Sequence, residues 1–440
     1  MWKTATLVGT LAISTFAAMM ATANDYPRRD FVGGVYAMTN EFDRNKIVAY
    51  GRNADGTLSL IGKFATGGRG AAFDGGEGLD PLISAYAVLL TKNRRHLIAV
   101  NAGSNSVSVF RVRNDFSLRL TDHRRVEGVG PNSVAYFDGT LWVSSIDADG
   151  EFVGEPDQEG VLTGFRLTPR GRLHRIRNGA RRLENRPSAI QFSPDGRHLV
   201  VSSINAGSSA LASGSTDEIV VYAVARSGRL SRQPVSAAAS TLPGNAEGRN
   251  LPSAIGFEIV EDEGENYVVV TEAREFRPDG APPAFFELQT GSVSTWRLDD
   301  DGSLEAIDLD VLTGSTPTEG GRTACWIEFS DDENTFWVSN ALDATISSFS
   351  FDQGRIALID DVAAAGTPPD NSSPAAAFGS TDGFIDLWIS DDGEYVYQLF
   401  GLSGTIGVYK VESDGAGAGL TEIQLVSDLP ETNTQGIVAF

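Results

Sequence analysis

From Arg186 to Ser203 the chain reads RPSAIQFSPDGRHLVVSS: an apolar run, a turn at Ser193-Pro194-Asp195-Gly196, and a second apolar run. Short β-rich runs of this kind, bounded by Gly, Pro and Asp, predict an antiparallel hairpin. Comparable stretches recur as NLPSAIGFEIVEDEGENYVVVTE, RTACWIEFSDDENTFWVSN and GFIDLWISDDGEYVYQL. After each hairpin comes a third run that carries an aromatic near its end, at Tyr50, Phe110, Phe165, Tyr222, Trp296, Phe349 and Tyr409. A turn follows each aromatic (NADGTL, RNDFSL, TPRGRL, ARSGRL, DDDGSL, DQGRI, SDGAGAGL), and then a weaker fourth run.

A unit of four short strands is too small to bury a core alone, so its repetition implies stacking around an axis. The pattern predicts an all-β fold, a seven-bladed β-propeller, with six or eight blades as the alternative count. No helical periodicity competes with it. The first unit, from FVGGVYAMTN, lacks its innermost strand, while Gly436-Ile437-Val438-Ala439-Phe440 is a spare strand. Pairing of that segment beside Val32–Met38 would close the ring and remove the open sheet edges.

In such a ring the turns of one face are short (FDG, SPDG, SDDEN, SDDG). The other face receives long insertions: DADGEFVGEPDQEG, NAGSSALASGSTDE and AREFRPDGAPPAFFELQTG within blades 3 to 5, and TGGRGAAFDGGEGLDP, STLPGNAEGRN and AAAGTPPDNSSPAAAFGSTDG between blades. Long loops on one rim of a rigid scaffold are the expected place for a binding site. Phe285 and Phe286 in PPAFFEL are expected to contribute apolar contact there. Strand polarity places Asn40, Asn101, Glu272 and Asn340 at the ends of second strands, around a central mouth. Asn132, Arg186 and Asp386 open inner strands and should approach the axis. This set offers carboxylates, amides and a guanidinium to a polar ligand or, alternatively, oxygen ligands to a cation.

The stretches VYAMTNEFDRNKIVAYGRNADGTL, GLDPLISAYAVLLTKNRRHLIAVNAGSNSVSVF and TACWIEFS resemble the lactonase-like seven-bladed propellers. That group includes bacterial 6-phosphogluconolactonases and fungal carboxymuconate-cyclising enzymes, and a secreted bacterial branch is the nearer likeness. The resemblance spans residues 31–440. It implies hydrolysis or cyclisation of a small polar lactone or sugar acid. The family's enzymes carry a Gly-Pro-x-His turn entering an inner strand; here Gly130-Pro131 is followed by Asn132-Ser133. Ser133, Ala189, Ala254, Trp326 and Asp386 fall at the histidine position of the successive blades, so no family catalytic histidine transfers. Acid/base chemistry would then fall to a carboxylate, Glu272 or alternatively Asp386, with Arg186 or Arg322 holding the oxyanion. The competing reading is a non-catalytic propeller that holds a polar ligand, carbohydrate or protein segment under the loops of blades 3 to 5.

Composition narrows the remaining choices. The first 23 residues, with Lys3, an apolar run and Ala21-Thr22-Ala23, read as a secretory signal peptide, leaving residues 24–440 as one domain exported to the periplasm or beyond. Cys325 is the single cysteine, so no internal disulfide forms, and a buried core role is expected. The four histidines, His96, His123, His174 and His198, are expected at the surface. No G-x-S-x-G, P-loop, dinucleotide fingerprint, H-E-x-x-H or His/Cys cluster occurs, and no metal or other cofactor is expected. The formal net charge of −23 disfavours nucleic acid and anionic membranes as partners. The charge is uneven: residues 92–186 hold 16 Lys and Arg against 11 Asp and Glu, and residues 251–440 hold 6 against 35. A partner docking electrostatically on blades 2 to 4 is therefore a third expectation, for a chain expected to be a monomer.

Overall fold

The computed structural model describes residues 31–71, 80–147, 159–204, 218–240, 252–275, 289–315, 323–366, 383–412 and 419–440. They form seven four-stranded antiparallel sheets. The inner strands are Ile437–Ala439, Val88–Leu90, Val129–Phe137, Arg186–Phe192, Ser253–Asp262, Ala324–Phe329 and Phe384–Ile389, for blades 1 to 7. Each touches the inner strand of the next blade, and the last touches the first, so the sheets close into a ring. Six blades are made of consecutive strands. Blade 1 borrows its inner strand from the C-terminus, with Val35 opposite Ala439, Tyr36 opposite Val438 and Ala37 opposite Ile437. Met38 N–H donates to Gly436 O and Phe440 N–H to Gly34 O, extending the pairing as the sequence predicts.

The aromatic landmarks explain why the sheets stack. All seven lie in third strands and none is more than 3% exposed. Each fills the space between neighbouring sheets, where large rings supply the most buried apolar area per residue. The short turns of one face share a device as well. Ser193, Ser330 and Ser390 each donate to an aspartate two residues on, and their hydroxyls accept the N–H that opens the second strand.

A second recurrent contact joins neighbouring blades. The glycine in the turn between third and fourth strands sits at positive φ and packs on a residue at the start of the previous blade's second strand. Gly171 meets His96, Gly228 meets Thr140, Gly302 meets His198, Gly354 meets Tyr267 and Gly56 meets Tyr395. Contrary to expectation, His96 and His198 are therefore buried, 4% and 6% exposed, because the adjoining blade's turn covers them. His123 and His174 are exposed. Cys325 is buried among apolar neighbours, and burial pushes its thiol well above the ordinary value.

Candidate active site

The inner strands of blades 3 to 7 all slip register near their starts: between Pro131 and Ser133, Pro187 and Ala189, Ala254 and Phe257, Ala324 and Trp326, and Phe384 and Leu387. A bulge frees ladder groups and re-aims side chains. Here the freed groups face the axis, and a single segment collects them. Ser84 Oγ donates to Asn132 O (3.0 Å) in blade 3, and Ala85 N–H to Ser188 O (3.3 Å) in blade 4. The Tyr86 hydroxyl lies 2.6 Å from Phe257 O in blade 5. Trp326 of blade 6 donates its indole N–H to Ser84 O (3.0 Å), and Trp388 of blade 7 packs edge-on against Tyr86. Only a segment lying on the axis reaches five inner strands. Asp80–Ala87 thus occupies the hub, with Ile83 and Tyr86 held at positive φ. This replaces the open central mouth expected from strand polarity.

Where this segment begins, three charged side chains meet. Asp80 accepts from Gln435 Nε2 (2.7 Å), and Gln435 also binds Ser84 O and Leu82 N–H. Asp386, one of the bulged residues, accepts the Gly436 N–H at 3.0 Å. Burial drives both carboxyls upward, Asp386 to about 8 with a further push from Asp80, and Asp80 to about 7 against the pull of Gln435 and Arg186. Arg186 is 8% exposed; burial lowers it to about 9 while Asp80 holds it up. Two carboxyls that titrate near neutrality beside a guanidinium have the chemistry that an acid/base pair with an anion anchor requires. Asp386 and Arg186 were legible as candidates. Asp80 was not, since GLDPLISAYA fits neither a strand nor a turn and contains no motif. Farther along the hub, Glu258 and Glu328 form a second carboxyl pair, raised by burial, beside Tyr86.

The remaining candidates lie elsewhere. Asn40, Asn101, Glu272 and Asn340 are fully buried, but in three separate seams between blades rather than around one mouth. Asn101 Nδ2 donates to Ser108 Oγ, which donates to Thr66 O; Asn340 Nδ2 donates to Ser347 Oγ, which donates to Thr313 O. Asn40 is drawn into the first of these seams through Asn45, which also binds Asn101. In each case the second strand is pinned to the third strand and to the exit of the preceding blade. Glu272 occupies the same place with charge added. Its carboxylate accepts from Ser240 Oγ and Ser292 Oγ (both 2.6 Å) and pairs with Arg274 at 2.8 Å. Arg274 also lies 3.1 Å from Asp310 and near Glu218. Burial would raise Glu272, but Arg274 and the hydroxyls hold it below its ordinary value. Burial and the Glu272 charge push Glu218 well above. A locked, acid-shifted carboxylate is a poorer base than Asp386. Asn132 does approach the axis, bonded to Pro187 O and Ser144 Oγ. Arg322, Phe285 and Phe286 lie outside the described residues.

A family model described as "Lactonase, 7-bladed beta-propeller" matches residues 273–432. Over that stretch, from the second strand of blade 5 through blade 7, the chain is similar to the lactonase-like propellers. Solved structures agree on the fold. A Bacteroides fragilis protein provisionally described as a 6-phosphogluconolactonase is 13% identical, with a TM-score of 0.57 over 94% of this chain and 100% of that one. A second protein with that description, from Bacteroides uniformis, is 14% identical, with a TM-score of 0.51 over 74% of this chain and 80% of that one. A Sulfolobus tokodaii protein described as a hypothetical selenium-binding protein has a TM-score of 0.59 at 14% identity, over 92% and 93% of the two chains. No curated protein matches the sequence.

Proposed function

We propose that this lactonase-like propeller is an exported hydrolase of a small polar lactone, acting at Asp80, Asp386 and Arg186. The observation that carries this reading is the meeting of two near-neutral carboxyls and an arginine at the loop-bearing end of the hub. The substrate carbonyl oxygen lies toward Arg186. The ionised member of the carboxyl pair takes a proton from water as the water oxygen bonds to the carbonyl carbon. The ring C–O bond then breaks, and the protonated carboxyl returns a proton to the leaving oxygen. The product is the open hydroxy acid, and the pair ends in its starting charge state. The family match and the 6-phosphogluconolactonase descriptions of structural neighbours support the substrate class. The basic-then-apolar start supports export.

One observation favours a second reading, binding of a polar ligand without turnover. The positions that follow Gly130-Pro131 are committed to hydrogen bonds, Asn132 as above and Ser133 Oγ as acceptor from Ile190 N–H. Proton release from glucono-δ-lactone, corrected for spontaneous hydrolysis, separates the two. Turnover should peak between pH 7 and 8, where one carboxyl of the pair is ionised and the other protonated, and Asp386→Asn should lower it about 10²–10⁴-fold. A wild-type rate equal to the spontaneous rate overturns the hydrolase. Gluconate binding that Asp386→Asn abolishes would then establish the second reading.

A further inference from the structure

A cleft of about 510 Å³ opens at the seam of blades 2 and 3, on the face opposite the carboxyl pair. It is lined by Arg95, Arg111, Arg119, Arg170 and Arg172, with Leu120, Thr121 and Pro169. Three different pieces of chain deliver these arginines. Arg95 closes the turn before the second strand of blade 2, Arg111 and Arg119 face each other across that blade's third and fourth strands, and Arg170 and Arg172 flank Gly171 in a blade 3 turn. Among the described residues, no carboxylate lies within ion-pair distance of Arg95, Arg111, Arg119 or Arg170. Arg172 reaches Asp122 only at 3.8 Å, and Asp122 is also held by Leu173 N–H and Arg124. In a chain of net charge −23, carboxylates able to neutralise this group are plentiful, yet among the described residues only Asp122 approaches it, at its edge.

Beside the cleft, next to Arg95 in sequence and opposite Arg111 across the strands, His96 carries a second sign. His96 is packed under Gly171, whose Cβ position lies 3.1 Å from His96 Cδ2 and 2.4 Å from Thr121 Oγ1. The imidazole is 4% exposed, and its Nε2 has no hydrogen-bond partner. Its titration falls to about 4, through burial first and then the positive charges of Arg111 and Arg95. The cleft's field therefore acts on a group that can be observed directly.

We propose that this cleft binds a small polyanion carrying two or more phosphate groups. Guanidinium groups present paired N–H donors that match phosphate oxygens, and several of them converging on one cavity suit a multiply charged ligand rather than a single carboxylate. The volume is that of a small-molecule site. Phosphate of this kind is carried by a soluble metabolite or by a lipid headgroup, and the cleft reads the same chemistry in both.

The test is calorimetric titration of the full chain with inorganic tripolyphosphate at low and at high salt. Binding should be at least 10-fold weaker at high salt. It should also be at least 10-fold weaker in Arg111→Gln/Arg170→Gln, while Arg177→Gln, an exposed arginine of blade 3 outside the cleft, should bind as wild type. Saturation should move the His96 NMR titration upward from about 4, because the bound anion offsets Arg95 and Arg111. A parallel arm with cardiolipin vesicles, whose headgroup carries two phosphates, identifies the source: sedimentation with vesicles that tripolyphosphate competes away indicates a headgroup, and its absence indicates a soluble ligand. No binding of tripolyphosphate at low salt, or equal weakening by Arg177→Gln, overturns the proposal. All three substitutions are surface changes, and unchanged melting temperatures show that both variants remain folded.

Discussion

Replacing Arg274 by methionine removes a cation from among three carboxyl groups and keeps most of the side chain's volume. Arg274 is 1% exposed, Glu272 is fully buried, and Asp310 is nearly so. Breaking a buried ion pair from one side costs about 3–5 kcal/mol, because the remaining charge stays buried without its partner. The segment Phe31–Phe440 is one unit of about 410 residues. At about 2.1 cal/mol/K per residue its unfolding entropy is about 0.9 kcal/mol/K, so the midpoint should fall by about 4–6 °C. The loss should depend on pH with a definite sign. In the wild type, Glu272 titrates below its ordinary value of 4.5, so its contribution is present above pH 4.5 and is lost as pH falls through the depressed value. In the variant, burial acts on Glu272 against the serine hydroxyls alone and raises it, so the destabilisation is full at pH 7–8 and vanishes once the carboxyl is protonated. Differential scanning fluorimetry at pH 4 and pH 8 measures both terms. Adding Glu272→Gln to the variant should recover part of the loss at pH 8. A midpoint within 1 °C of wild type, or an equal loss at the two pH values, would refute the assignment of this cluster as a charge-paired lock between blades 4 and 5.

Two further outcomes follow from the packing. Gly302→Ala should destabilise more than Gly264→Ala by about 1–3 kcal/mol in urea unfolding. The two glycines share φ near +88° and +87°, but a Cβ at Gly302 meets Val235 and His198 Nε2 at 2.7 and 2.9 Å, whereas nothing lies within 4 Å of one at Gly264; equal effects would remove the inter-blade contact as the reason for glycine. Deleting Ile437–Phe440 should abolish cooperative unfolding and render the N-terminal blade sensitive to limited proteolysis. Four buried side chains are lost, at about 1.5–3 kcal/mol for each large one, and the edge of blade 1 is exposed; an unchanged urea midpoint would contradict closure by this strand.

The ring was legible because its signals are local. Alternating runs, turn glycines and one aromatic per unit each report on a few neighbouring residues, and Ile437–Ala439 pairs where the missing first strand implied. The hub was illegible for the opposite reason. Asp80 is defined by Gln435, Arg186 and Asp386, partners 355, 106 and 306 positions away. No periodicity within Gly78–Ala87 distinguishes an axial segment from a surface loop. His96 and His198 mislead similarly, since their cover comes from Gly171 and Gly302 of the following blade. Asn101, Glu272 and Asn340 were correctly placed at the ends of second strands. Their direction was missed because serines seven or twenty residues later capture them.

The segment that fills the hub also decides the traffic through the molecule. A propeller with an empty centre is a tunnel open at both faces. Here Ser84, Ala85 and Tyr86 occupy the axis, so in the hydrolase proposed above substrate and product would share the loop-bearing face. They would then compete for one route, and a slowly leaving product would inhibit the next turnover.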